Sequence, residues 1–141
     1  MDKNEISVRM AVPGDLDFIS QHHCLPRDVI LRKISQAEIF LLIADGEPVA
    51  QLRVAFLWSE IPYIELIYID SNFRKQGFGR ILLGYLEAHL RRRGYKALYS
   101  SSQVDEPEPQ AWHRHMGFEE CGIINGLNEG GIGEIFFRKA I

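Results

Sequence analysis

The chain contains no run of about 18 consecutive apolar residues, so a membrane-crossing helix is not expected. Its N-terminal MDKNEISVRM offers no apolar segment of the kind that a secretory leader needs. Cysteine is scarce, with Cys24 and Cys121 far apart in sequence. Two isolated thiols in a leaderless chain fit a reduced, cytoplasmic protein. His22, His23 and Cys24 are adjacent, and no further ligands follow at zinc spacing, so no metal is expected. Positive charge is not in excess either. The formal net charge is −3, which gives no electrostatic case for nucleic acid. Internal repeats and low-complexity tracts are also missing.

What remains is the composition of an ordinary globular protein, 46% hydrophobic and 25% charged over 141 residues. That length fits one domain, residues 1–141, with one core. ISVRM alternates apolar and polar residues and predicts a first strand. PGDLDFISQHH and LPRDVILRKISQAE predict two helices, the second opened by proline. IFLLIADGEPVAQLRVAFLW is two apolar runs joined by Asp-Gly, the strongest hairpin signal in the chain. SEIP predicts the next turn and YIELIYID the next strand. Leu82, Leu83, Leu86 and Leu90 then mark the buried stripe of a long helix that Gly94 stops. KALYSSS predicts a strand parallel to YIELIYID, since a helix crosses between them. EPEPQAWHRHM reads as a helix opened by prolines, and GFEECGIIN and GEIFFRKAI as closing strands. The order β-α-α-β-β-β-α-β-α-β-β predicts an α/β (α+β) domain with a mixed, mostly antiparallel sheet.

RKQGFGR, Arg74 to Arg80, is the most informative stretch. A strand that enters a helix through a glycine turn leaves backbone N–H groups without intrahelical partners, and the helix dipole adds positive potential there. Gly77 and Gly79 let the backbone approach a ligand closely, while Arg74, Lys75 and Arg80 add charge. The P-loop pattern fails because Arg80 follows Gly79. The dinucleotide pattern fails because Leu82 stands where a third glycine belongs. On residues alone, an anion site and a tight turn whose glycines serve only geometry are equally good readings.

With its neighbours, the stretch resembles the GNAT superfamily of acyl-CoA-dependent N-acyltransferases. Their Arg/Gln-x-x-Gly-x-Gly/Ala motif is matched by Arg74, Lys75, Gln76, Gly77, Phe78 and Gly79. IYIDSNF before it, AWHRHMGF downstream and VRMAVPGDLDFI near the start are similar to further family features, so the resemblance spans nearly the whole chain. It implies a sheet of about seven strands, splayed between the fourth and fifth, with about four helices. It also implies acetyl-CoA as co-substrate, with its pyrophosphate on the amides of Lys75, Gln76, Gly77, Phe78, Gly79 and Arg80. Arg74, Lys75 and Arg80 would neutralise phosphate charge, and the pantetheine arm would lie along Ile67, Tyr68 and Ile69. The reaction implied is direct attack of a primary amine on the thioester in a ternary complex. The acceptor would be a small molecule or peptide, and homodimers are common in the family.

Two residues are candidates for chemistry. Glu65 interrupts an apolar strand near the expected thioester, as a base or an amine anchor; the alternative is an outward-facing, solvated side chain. His113 stands where the family commonly has the tyrosine that protonates the leaving thiolate. Histidine titrates near neutrality, but the same residue could simply pack against the sheet. Trp58, Tyr63 and Trp112 could line an acceptor pocket or belong to the core. YIELIYID with WHRHMGFEECG is also similar to the aminoglycoside 6′-N-acetyltransferase branch, although GLNEGGIGEIFFRK is longer than that branch leads one to expect. The competing reading is an acyl-CoA-binding or sensing module without catalysis.

Overall fold

The computed structural model describes residues 5–141. Its elements follow the order expected from the sequence. They are β1 (Ile6–Met10), α1 (Leu16–Ile19), α2 (Arg27–Ser35), β2 (Ile39–Ala44), β3 (Glu47–Leu57) and β4 (Ile61–Ile69), then α3 (Phe78–Arg92), β5 (Ala97–Gln103), α4 (Pro107–His115), β6 (Glu119–Ile124) and β7 (Glu134–Ala140). Among the described residues, seven strands form a mixed sheet in the order β1-β2-β3-β4-β5-β7-β6. β4 and β5 are its parallel neighbours, as the helical crossover between them requires. Their register is Tyr63↔Tyr99, whereas β5 pairs with antiparallel β7 along its whole length. Among the described residues, no helix is long and apolar enough to cross a membrane.

Asp45 and Gly46 turn the β2–β3 hairpin with φ of 50° and 85°, as a two-residue primed turn demands. The next reversal differs from expectation. The turn spans residues 58–60, overlapping SEIP at Ser59 and Glu60 but starting one step earlier, with φ values of 51° and 62° at Trp58 and Ser59. Ile61 and Pro62 already belong to β4. No glycine announces this turn, which is why the sequence pattern misplaces it. Helix α3 likewise begins at Phe78, inside the glycine motif. It ends as expected: Gly94 adopts φ 90°, and Tyr95 N–H bonds back to Leu90 O at 3.0 Å, closing a Schellman cap.

The chain divides into two compact units. The first comprises residues up to Val54 together with Leu66–Ala88, and the second comprises Ala55–Glu65 together with His89–Ile141. In the first, Ile19, Ile30 and Ile34 of α1 and α2 pack with Ile39 and Leu41 of β2. Leu82, Leu83 and Leu86 form the buried stripe of α3 predicted from their spacing. In the second, Leu98, Phe118, Ile135 and Phe137 are buried. β5 alternates strictly here: Leu98, Ser100 and Ser102 face inward and Ser101 faces the other side.

Candidate functional site

The first unit carries the glycine turn. After β4 a single 3-10 turn, Ser71–Phe73, leads into Arg74, and α3 starts at Phe78. Two residues between them are left-handed, Lys75 at φ 62° and Gly77 at φ 80°. A lysine in that region is strained by about 1–2 kcal/mol, which the turn tolerates in order to reverse direction. The helical ladder opens with Ile81 N–H to Gly77 O at 3.1 Å, so the amides of Phe78, Gly79 and Arg80 lie ahead of it. The first turn of α3 carries no acidic side chain to compete for those amides. A Cβ built on Gly77 meets nothing within 4 Å, so the space above this backbone is open. Lys75 and Arg80 are exposed, whereas Phe78 is buried and stacks on Phe73 with centroids 6.2 Å apart. Phe78 therefore anchors the helix start with its ring and offers a ligand only its amide. These features fit a diphosphate: an open backbone cradle, a helix N-terminus and flanking cations.

Arg74 behaves differently from its neighbours. Its Nε donates to Ile69 O at 3.1 Å, and its guanidinium lies 5.6 Å from the centre of the Tyr68 ring. It thus braces the end of β4. The Tyr68 ring also stacks on His22, with centroids 3.5 Å apart. His22 Nδ1 accepts from the Gln51 amide at 3.2 Å, which assigns the ring proton to Nε2, facing Asp70 at 3.7 Å. Burial pushes the His22 pKa down; the Asp70 charge opposes this and the Arg53 charge adds to it.

Sequence reasoning missed what holds His22 there. Arg53 is fully buried in β3 and donates to Ile19 O, His22 O and His23 O at 2.8, 2.6 and 2.8 Å, and to Gln51 Oε1 at 3.0 Å. One guanidinium thus gathers the carbonyls at the end of α1 and fixes the segment stacked on Tyr68. The signal was present: Gln51 and Arg53 are polar residues two apart in the apolar run VAQLRVAF, hence on one face.

The second unit holds both candidates for chemistry. Glu65 lies on β4 with its Oε1 shielded from solvent. On the same face, Tyr63 stacks on Phe136 with centroids 5.9 Å apart. Its hydroxyl lies 2.5 Å from Ser101 Oγ, and Ser101 Oγ donates to Glu134 Oε2 at 2.5 Å. The other oxygen of Glu134 accepts from Asn128 Nδ2 at 2.9 Å. Burial raises the Tyr63 pKa; its bond to Ser101 opposes this, and the charges of Glu134 and Glu65 add to it. Of the aromatics predicted as pocket or core, Trp58 is 82% exposed at its hairpin tip, and Trp112 meets His113 edge-on.

His113 is only 4% exposed. Its Nδ1 donates to Pro109 O at 2.7 Å, so the neutral ring accepts at Nε2 from Ser100 Oγ, also at 2.7 Å. The ring stacks on Phe137 with centroids 4.6 Å apart. Burial lowers its pKa, opposed by the Pro109 bond and the Glu134 charge, with Arg114 lowering it further. A histidine whose folded pKa lies below its unfolded value of about 6.5 contributes fully to stability above that pH, and its contribution is lost as pH falls below it. Urea unfolding between pH 7.5 and 5 should therefore show a steeper loss of stability for the wild type than for His113→Leu; equal slopes would contradict this placement.

The acetyltransferase (GNAT) family model matches residues 14–118. An aminoglycoside N(6′)-acetyltransferase type 1 from Stenotrophomonas maltophilia is 32% identical over 106 residues, covering 67% of this chain and 69% of that protein. In fold, the chain matches Ard1 from Thermoplasma volcanium at a TM-score of 0.84 and 14% identity, over 96% of this chain and 97% of that one. It also matches yncA from Salmonella typhimurium, solved with its cofactor acetyl-CoA, at a TM-score of 0.79 and 14% identity, over 96% and 93%.

Proposed function

The chain belongs to the acetyltransferase (GNAT) family and is an N-acetyltransferase, and from that premise we propose that it acetylates a small cationic amine from acetyl-CoA. The observation that carries this reading is the β4–α3 connection: an open backbone at Gly77, left-handed geometry at Lys75 and Gly77, and a helix start without acidic side chains. Amides from Lys75 to Arg80 hold the diphosphate, and the cations of Lys75 and Arg80 neutralise it. Arg74 keeps the end of β4 in place through Ile69 O, and the backbone of Ile67, Tyr68 and Ile69 carries the pantetheine arm. Acetyl-CoA supplies the acetyl group as an activated thioester.

Glu65 attracts and orients the acceptor ammonium, since a shielded carboxylate on an apolar strand interacts with a cation more strongly than one in water. The relative from Stenotrophomonas maltophilia, named for aminoglycosides, supports a polycationic acceptor. His113 is a positioning residue in this reading. Its bond from Ser100 ties α4 to β5, its bond to Pro109 O stays within α4, and in the neutral ring no N–H is left over for a thiolate.

The test is thiol release from acetyl-CoA against tobramycin, a simple diamine and a peptide with a free N-terminus. Turnover on one of the cationic small molecules is expected. Glu65→Gln should then lower kcat/KM for the amine by roughly 100-fold while the Kd of acetyl-CoA changes by less than about twofold. An unchanged kcat/KM would remove Glu65 from the reaction. Tight coenzyme binding with no turnover on any amine would instead favour a sensing module.

A further inference from the structure

An ammonium must lose a proton before its nitrogen can attack a thioester, and the hydrogen bonds of the second unit define a route for that proton. Glu134, when ionised, can only accept, and both of its oxygens are taken, by Ser101 and by Asn128. A serine has one hydroxyl proton. Since Ser101 spends its proton on Glu134, the hydrogen of the 2.5 Å contact between Tyr63 and Ser101 must come from Tyr63. The chain therefore has one polarity: Tyr63 O–H to Ser101 Oγ, Ser101 O–H to Glu134 Oε2. At its outer end, Tyr63 Oη is left with lone pairs only, two residues along β4 from Glu65 and on the same face.

We infer that Tyr63, Ser101 and Glu134 form a proton relay that deprotonates the acceptor ammonium held at Glu65. This rests on the proposed function. An N–H bond of the ammonium breaks as its proton passes to Tyr63 Oη. The phenolic proton passes to Ser101 Oγ, and the serine proton passes to Glu134 Oε2. Tyr63 and Ser101 end neutral, and Glu134 ends as a carboxylic acid that later returns the proton to solvent. The nitrogen lone pair so freed forms the amide C–N bond while the C–S bond breaks with its electrons on sulfur. The second N–H proton leaves with the thiolate, as the overall stoichiometry requires.

The segment that supplies Glu134 is built around this arrangement. Asn128 N–H and Asn128 Nδ2 both donate to Ile132 O, at 3.0 and 3.1 Å, and Gly131 N–H donates to Asn128 O at 3.0 Å. The connection GLNEGGIG thus folds on Asn128 and presents its amide to Glu134. The ionisable groups whose charges act on the chain are Glu65 and Glu134 at Tyr63, and His113, which feels Glu134.

The experiment compares wild type, Ser101→Ala, Ser101→Thr and Glu134→Gln on the amine that the wild type turns over. Ser101→Ala and Glu134→Gln should lower kcat by roughly 100-fold near neutral pH, with the acetyl-CoA Kd unchanged. Ser101→Thr keeps the hydroxyl and should stay within about tenfold of wild type. The loss should shrink as pH rises toward the amine's own pKa, where the acceptor arrives already neutral; a merely structural role would give a loss independent of pH. Wild-type kcat in Ser101→Ala, or a loss equal at all pH values, would overturn the relay. Wild-type failure to acetylate any amine would overturn the proposed function and the relay with it. Ultraviolet titration of the Tyr63 phenol tests the chain of bonds apart from activity: Glu134→Gln should lower the phenol's pKa, and an unchanged titration would dissolve the chain itself.

Discussion

Gly77→Val is expected to abolish measurable acetyl-CoA binding while leaving the protein folded. Gly77 sits at φ 80°, a region that a β-branched residue enters only with strain of about 1–3 kcal/mol. A Cβ there meets nothing within 4 Å. The cost therefore falls on the turn. Either the backbone leaves the left-handed region and the amides ahead of α3 point elsewhere, or the side chain occupies the open space in which the diphosphate is proposed to lie. Together these should weaken binding by at least about 100-fold, or roughly 2.8 kcal/mol. Gly77→Ala should fall between, because its smaller side chain brings strain and little bulk. Calorimetric titration reads both, and unchanged affinity in the valine variant would mean that the turn is only a turn.

Arg53→Leu should be the most destabilising single substitution among the residues considered. It removes the donors to Gln51 Oε1 in the interior, to His22 O at a half-buried residue and to His23 O at an exposed one; Ile19 O keeps the Gln51 amide at 3.2 Å. Charge-assisted bonds to buried acceptors contribute about 1.5–3 kcal/mol each, partly offset by relief from burying the guanidinium, so a net loss of about 3 kcal/mol is expected. For a chain of this size that is roughly 10 °C in Tm. Arg53→Lys should not rescue it, because one ammonium cannot span acceptors arranged around a planar fork. A Tm within about 2 °C of wild type in Arg53→Leu would contradict the holding role.

Element order was legible because each signal was local. The β2–β3 hairpin follows from Asp-Gly, and α3 from leucine spacing and the Gly94 stop. The reversal after β3 was legible as a turn but not in its start at Trp58, since its positive φ values fall on residues that seldom carry them. The start of α3 at Phe78 was masked by the glycines on either side of it. In the site, the motif identified the turn but not the division of labour within it. Arg74 turns back onto Ile69 O, and Phe78 is an anchor, because both depend on what the side chain meets after folding. The Tyr63–Ser101–Glu134 chain joins three strands and was beyond any local pattern. Its trace in the sequence is only that Tyr63, Ser101 and Glu134 each fall on the half-buried side of an alternating strand. His113 was legible in position and chemistry; the partners that occupy both ring nitrogens came from folding.

In the proposed pose the amides of residues 75–80 receive the coenzyme's diphosphate and the backbone of Ile67, Tyr68 and Ile69 its thiol arm. Amide nitrogen–proton spectra recorded while acetyl-CoA is titrated into the full chain test it most directly. The largest shifts are expected at Lys75, Gln76, Gly77, Phe78, Gly79 and Arg80, with a second group at Ile67 to Ile69. Saturable binding that left both groups unmoved and shifted amides elsewhere would contradict it.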